Sequence, residues 1–290
     1  MFICHYFGLI KMVSLRRQTD FAKEKRSDNK TATCFFVATC FGTFHGAYAE
    51  DTAPAFNATQ QAEIGKIAAD YLLAHPDILL QVSQKLQEQE TLRQAVALTK
   101  MVLDNQEALL TDKNSPSVGP ANAQVAMIEF FDYQCIYCNK MAPIIENVMK
   151  ANANVKFIFK EWPIFGSRWQ ASTTAAQTGL SIWQDRASAD YLAYHNAIYK
   201  TGHNEGALTD KDIADVLKKA GIPIPTPSEL ARTTATIDNI NSLAHKLGLT
   251  GTPAFIIMPV SGGNINTITV VPGATDQMTL TSAINKASGH

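Results

Sequence analysis

The sequence predicts an α/β domain preceded by a purely helical arm, and three observations carry that expectation. From Val125 onward, short apolar runs suited to buried strands alternate with stretches of helical spacing. From Thr59 to Leu110 the periodicity is helical with no strand signal. Between the two, Asp112 to Pro120 is rich in turn formers and reads as a boundary. A chain of 290 residues with 46% hydrophobic composition has room for one full domain and a smaller element.

Each element follows in order. In the arm, Ile64, Ile67, Ala68, Tyr71 and Leu72 fall on one helical face, and Pro76-Asp77 restarts a second helix at a position where proline is tolerated. Ile78, Leu79, Val82 and Leu86 continue the stripe, with Leu92, Val96, Val102 and Leu103 beyond them. Such an arm cannot bury its stripe alone, so it must dock on its own domain or on another copy. Past the boundary, Val125 to Phe131 is the first strand, Asn139 to Ala151 a helix, and Val155 to Phe159 a second strand ended by Pro163. Ala171 to about Ala220 is helical, followed by a helix over Ile237 to Leu247. Strands over Ala254 to Met258 and Ile265 to Val271 and a closing helix over Asp276 to Ala287 complete the plan.

The first 49 residues read as a targeting segment. Arg16, Arg17, Lys23, Lys25, Arg26 and Lys30 precede an apolar, small-residue stretch, and Ala47-Tyr48-Ala49 supplies a small-x-small cleavage site. The expected organisation is a signal peptide over 1–49, a helical arm over 50–115, and a catalytic domain over 116–290 with a helical insert at about 170–235. Without the leader, 18 basic side chains face 23 acidic ones, which argues against a nucleic-acid partner. No later segment has the apolar run of about 20 residues that a membrane helix needs.

Of the five cysteines, Cys4, Cys34 and Cys40 lie in the leader, leaving Cys135 and Cys138. Two cysteines three apart are no disulfide framework; they serve chemistry or metal. The pair sits where a strand hands over to a helix, Phe130-Phe131-Asp132-Tyr133-Gln134-Cys135-Ile136-Tyr137-Cys138. A thiol there faces unpaired backbone N–H groups and the positive end of the helix dipole, both of which favour thiolate. Cys135 is therefore the expected nucleophile, exposed at the mouth of the helix. Cys138, one turn deeper and shielded, is the expected resolving thiol. Zinc would need about two further ligands, and His195, His203 and His245 are scattered without ligand spacing. Far along the chain, Thr250-Gly251-Thr252-Pro253-Ala254-Phe255 places a proline at the start of a strand, in a cis bond or in an ordinary turn.

Together, Phe-Phe-Asp-Tyr-Gln-Cys-x-Tyr-Cys, Phe159-Lys160-Glu161-Trp162-Pro163 and Gly251-Thr252-Pro253-Ala254 resemble the DsbA-like thiol oxidoreductases, especially the Com1-like and ScsC-like branch with an N-terminal helical arm. The resemblance spans Pro116 to the C-terminus, with the arm a looser match. It implies a thioredoxin fold with a helical insertion, Pro253 in cis beside the cysteines, and Thr252 offering its backbone to an extended substrate segment. It further implies a location in the periplasm or cell envelope. Two departures stand out. Ile136-Tyr137 replaces the Pro-His of archetypal DsbA, which leaves the helix terminus and the Tyr137 hydroxyl to stabilise the thiolate and suggests a milder oxidant. Thr252 replaces a Val, as in disulfide isomerases. Glu161, with Lys160 nearby, either helps move the proton of Cys138 or forms a solvated charge pair.

The expected activity is forming or isomerising disulfides in exported proteins, with a membrane redox partner and no cofactor or metal beyond the Cys135–Cys138 pair. A homodimer or homotrimer through residues 59–110 is expected. The alternatives are a non-catalytic surface protein or a metal-handling periplasmic protein on the same scaffold.

Overall fold

A computed structural model of the chain describes residues 56–289. The expected signal peptide, its cleavage near Ala49 and most of the lead that follows lie outside the described residues. The chain divides into two units, residues 1–64 and 65–290. Of the first, only the opening of helix α1 is described.

The arm consists of α1 (Ala58–Ala74) and α2 (Asp77–Asp104). Asn57 and Gln60 begin α1 by exchanging side-chain to backbone bonds, each 3.0 Å, which satisfy N–H groups the helix leaves orphaned. Pro76 caps α2 where a missing N–H costs nothing. The apolar stripe of the arm faces solvent: Ile67, Tyr71, Leu79 and Leu86 are 54 to 68% exposed. At the far end of α2 the situation reverses. Val102 is fully buried, and after α3 (Gln106–Leu110) so are Leu109 and Leu110.

A five-stranded sheet organises the rest, in the order β1-β3-β2-β4-β5. Strands β2 (Val125–Phe131) and β3 (Lys156–Glu161) are parallel, while β1 (Ser117–Val118), β4 (Ala254–Pro259) and β5 (Thr269–Pro272) join antiparallel. Alternation along β2 divides the interior in two. Met127 and Phe131 face a core built with α4 (Ile136–Ala151), the helical insert and α10 (Gln277–Ala287). Ile128 and Phe130 face a second core closed by α9 (Thr234–Lys246), Val102, Leu109 and Leu110. The last turns of α2 and the whole of α3 thus belong to the domain's packing. Gln106 Nε2 donating to the Val260 carbonyl at 2.9 Å fastens them there.

The single helical stretch expected from Ala171 to Ala220 is three helices, α5 (Gln170–Asp185), α6 (Ser188–Lys200) and α7 (Asp210–Ala220), and α8 (Pro227–Arg232) follows. A reciprocal capping box of Thr209 and Asp212 starts α7, and Gly221 ends it in the left-handed conformation. Strand β5 begins at Thr269, not Ile265. Asn264 holds residues 264–267 in a turn, its carbonyl accepting from Thr267 N and its Oδ1 from Asn266 N. The two-residue β1 lies inside the stretch read as a turn-rich boundary.

Candidate active site

The turn between β2 and α4 is held by Asp132. Its Oδ1 accepts from Gln134 N at 2.8 Å, while Oδ2 accepts from Phe165 N and the Ser172 hydroxyl at 2.9 and 2.8 Å. The Asp132 carbonyl accepts from Cys135 N. This brings the strand to a stop and turns the chain into α4, with Cys135 in extended conformation at the N-cap. The Cys135 sulfur accepts from Cys138 N at 3.4 Å, and its thiol donates to the Thr252 carbonyl at 3.3 Å. The Thr252–Pro253 bond is cis, and Pro253 is buried at the head of β4.

Both cysteines are free thiols. They do not differ in exposure as expected, since Cys135 is 3% and Cys138 1% exposed. Their environments separate them instead. The Cys138 thiol hydrogen bond first, then the Thr252 side chain and the backbone N–H groups of Cys138 and Tyr137, pull Cys135 down to about 6 against the opposing effect of burial. Burial, with the hydrogen bond to Cys135 and its charge, pushes Cys138 well above the ordinary thiol range.

Tyr137 projects from the first turn of α4, half exposed, with Lys140 Nζ 5.4 Å from its ring centroid. Glu161 and Lys160 are both fully buried, so they are not a solvated pair, and successive positions on β3 send them to opposite faces. Lys160 Nζ donates to the Ala108 carbonyl, Asp112 and the Ser115 hydroxyl on the face covered by α3. Glu161 accepts from Tyr133 and Tyr191 on the other face and bonds to neither cysteine.

Glu129 escaped the sequence reading. It sits in the middle of β2, 4% exposed, with its Oε2 lacking a hydrogen-bond partner among the described residues. Burial first, then the charge of Cys135, push its carboxyl up to about 8. The available signal was an acid inside the otherwise apolar run Val-Ala-Met-Ile-Glu-Phe-Phe, where a charged residue is rarely found unless paired. Among the described residues no group of three or more His, Cys, Asp or Glu side chains is arranged to hold a metal ion.

A sheet of this order, a dithiol at the start of a helix and a cis-proline loop against it define a thioredoxin-fold protein. The profile of the DsbA-like thioredoxin domain matches residues 126–285, more than half of the chain, and the chain belongs to that family. Residues 60–91 match the N-terminal domain of the copper resistance protein ScsC. BcfH of Salmonella enterica Typhimurium is 39% identical, with 80% of this chain and 97% of that one covered and a TM-score of 0.66. ScsC of Proteus mirabilis is 27% identical over 81% of this chain and all of its own, with a TM-score of 0.54. A periplasmic thioredoxin-like protein of Salmonella enterica serovar Typhimurium is 27% identical over 63% of this chain and 95% of its own, with a TM-score of 0.53. No curated protein gives a significant match.

Proposed function

We propose that the protein is an extracytoplasmic thiol-disulfide oxidoreductase that forms or isomerises disulfides in exported proteins. The observation that carries this reading is the sulfur of Cys135, set between the N–H of Cys138 and the carbonyl of Thr252. Family membership supports it. The Cys135 thiolate attacks a substrate disulfide, forming a mixed disulfide and expelling one substrate thiolate. Cys138 then gives up its proton and attacks the Cys135 sulfur, which releases the second substrate thiolate and leaves Cys135–Cys138 oxidised. In reverse, the oxidised pair accepts two electrons from a substrate dithiol.

Glu129, in the same buried face as the pair, takes the proton of Cys138. Thr252 and Pro253 form the edge against which an extended substrate lies, and Tyr137 borders it. No organic cofactor or metal enters these steps; the dithiol is the redox centre, and a membrane redox partner resets it. Export requires the leader over residues 1–49, and the relative described as periplasmic supports that location. The exposed stripe of the arm pairs with further copies of the chain, giving a dimer or trimer that presents several Cys135 groups to one substrate.

Refolding of scrambled and of reduced ribonuclease tests the activity. The wild-type chain should accelerate at least one of the two and Cys135→Ser neither. A wild-type protein no faster than glutathione buffer would end the proposal.

A further inference from the structure

A second buried polar cluster adjoins the cysteine turn, and the exchange steps do not use it. Glu161 closes β3 with its Oε1 accepting the hydroxyls of Tyr133 and Tyr191, each at 3.0 Å. Its Oε2 has no hydrogen-bond partner among the described residues. The adjacent Lys160 turns to the other face, so its charge is directed away. The acids nearest Glu161 in electrostatic reach are Asp132 and Glu129, of like sign. His195 completes the cluster, fully surrounded by aromatic rings, with Nδ1 3.3 Å from the Tyr133 hydroxyl. Space for the carboxyl is supplied by Gly179 of α5, where a Cβ would lie 2.6 Å from Oε1.

Three bodies meet at this one oxygen. Glu161 belongs to the central sheet, Tyr191 to α6 of the insert, and Tyr133 to the turn two residues before Cys135. A carboxylate buried beside other acids, with no cation beside it among the described residues, is costly, whereas the neutral acid keeps its acceptor oxygen at no such penalty. Burial likewise pushes this carboxyl well above its ordinary range.

We propose that Glu161 is a positioning residue for the redox centre: as a neutral acid it holds Tyr133, and through it the Asp132–Cys135 turn, against the sheet and the helical insert. The Cys135 sulfur is thereby kept in line with the Cys138 N–H and the Thr252 carbonyl. The inference rests on the reading of Cys135 as the nucleophile.

The test is the pH profile of Cys135 alkylation in the reduced, full-length protein, with thermal melts verifying that each variant is folded. Glu161→Leu removes the shared acceptor and should raise the alkylation midpoint by about one pH unit, a tenfold change in thiolate population. Glu161→Gln, neutral and still offering a carbonyl to both phenols, should restore the wild-type profile. Tyr133→Phe should reproduce the Leu shift, and Tyr191→Phe should not. A Gln variant as shifted as the Leu variant would show that charge is required and overturn the proposal. So would a wild-type profile in Tyr133→Phe or in a folded Glu161→Leu. If Glu161→Leu does not fold, the Gln and Tyr133→Phe results still decide. A wild-type protein whose Cys135 titrates as an ordinary thiol would instead overturn the redox reading itself.

Discussion

Helix α2 carries the same kind of side chain at both ends and treats them oppositely. Leu86, near its start, is 61% exposed, whereas Val102, near its end, is fully buried beneath the sheet with Leu109 and Leu110. Helical periodicity alone cannot separate these cases, because it reports that a face is apolar and not what covers it. The change from exposed to packed side chains therefore falls within α2, not in the turn-rich segment after it. Burying an exposed large apolar side chain is worth roughly 1.5 to 3 kcal/mol. Ile67, Tyr71, Leu79 and Leu86 together therefore offer a strong incentive to associate.

The sharpest way to break this comparison is to disable each region separately. Cys135→Ser should abolish disulfide exchange completely while leaving the molecular mass in solution unchanged. Ile67→Asp with Leu79→Asp should do the reverse, reducing the mass to that of one chain while Cys135 alkylation proceeds at its wild-type rate. Light scattering and alkylation kinetics read the two outcomes. A monomeric wild type would show that the stripe has no partner copy.

Truncations on either side of that change sharpen the boundary. Leu109→Ala opens a cavity in the second core and should cost about 2 to 5 kcal/mol of urea stability. Leu86→Ala should change the folding of the domain by no more than about 0.5 kcal/mol and weaken association only. Equal costs at both positions would place α3 in the same environment as the exposed part of α2.

Inside the domain, Glu129→Gln should slow release of mixed disulfides by about 100-fold, the scale of a lost general base. Initial attack by Cys135 should hardly change. Rapid-quench measurement of the two steps separates them, and an unaltered release rate would remove Glu129 from the reaction.

A further expected effect is in pH and stability. Cys135, held near 6 where an unperturbed thiol titrates at 9, stabilises the reduced fold fully above pH 9, and that contribution is lost as pH falls through 6. Glu129, raised from 4.5 to about 8 chiefly by burial, contributes stability that is present below pH 4.5 and lost as pH rises through 8, and the part due to burial is common to both redox states. The reduced-minus-oxidised difference in Tm should therefore grow between pH 6 and 9. A flat difference would mean that the thiolate gains nothing from the fold.

The parts legible in the sequence were those with local causes. Strand, turn and helix around Cys135 could be read because the apolar run, the turn residues and the helix spacing are contiguous, and the strand after Pro253 for the same reason. What escaped depended on contacts between distant segments. The acid at Glu129 was visible as an oddity in an apolar strand, but the face it occupies is set by pairing with β3 and β4. Lys160 and Glu161 are neighbours in sequence, which suggested a pair, yet strand alternation separates them. Tyr133, Tyr191 and His195 converge only because the insert folds back over the sheet. Cys135 lies at a helix mouth as read, yet its exposure falls to 3% in the folded domain.

The most direct test of the account is the reduction potential of the Cys135–Cys138 pair, by equilibration of the full-length protein with glutathione buffers and thiol trapping. A thiolate stabilised in the reduced state makes its disulfide oxidising, so the potential should lie well above about −300 mV, in the range of catalytic pairs. A value below about −300 mV, or a pair that cannot be cycled between dithiol and disulfide, would mark an inert bond and contradict the account.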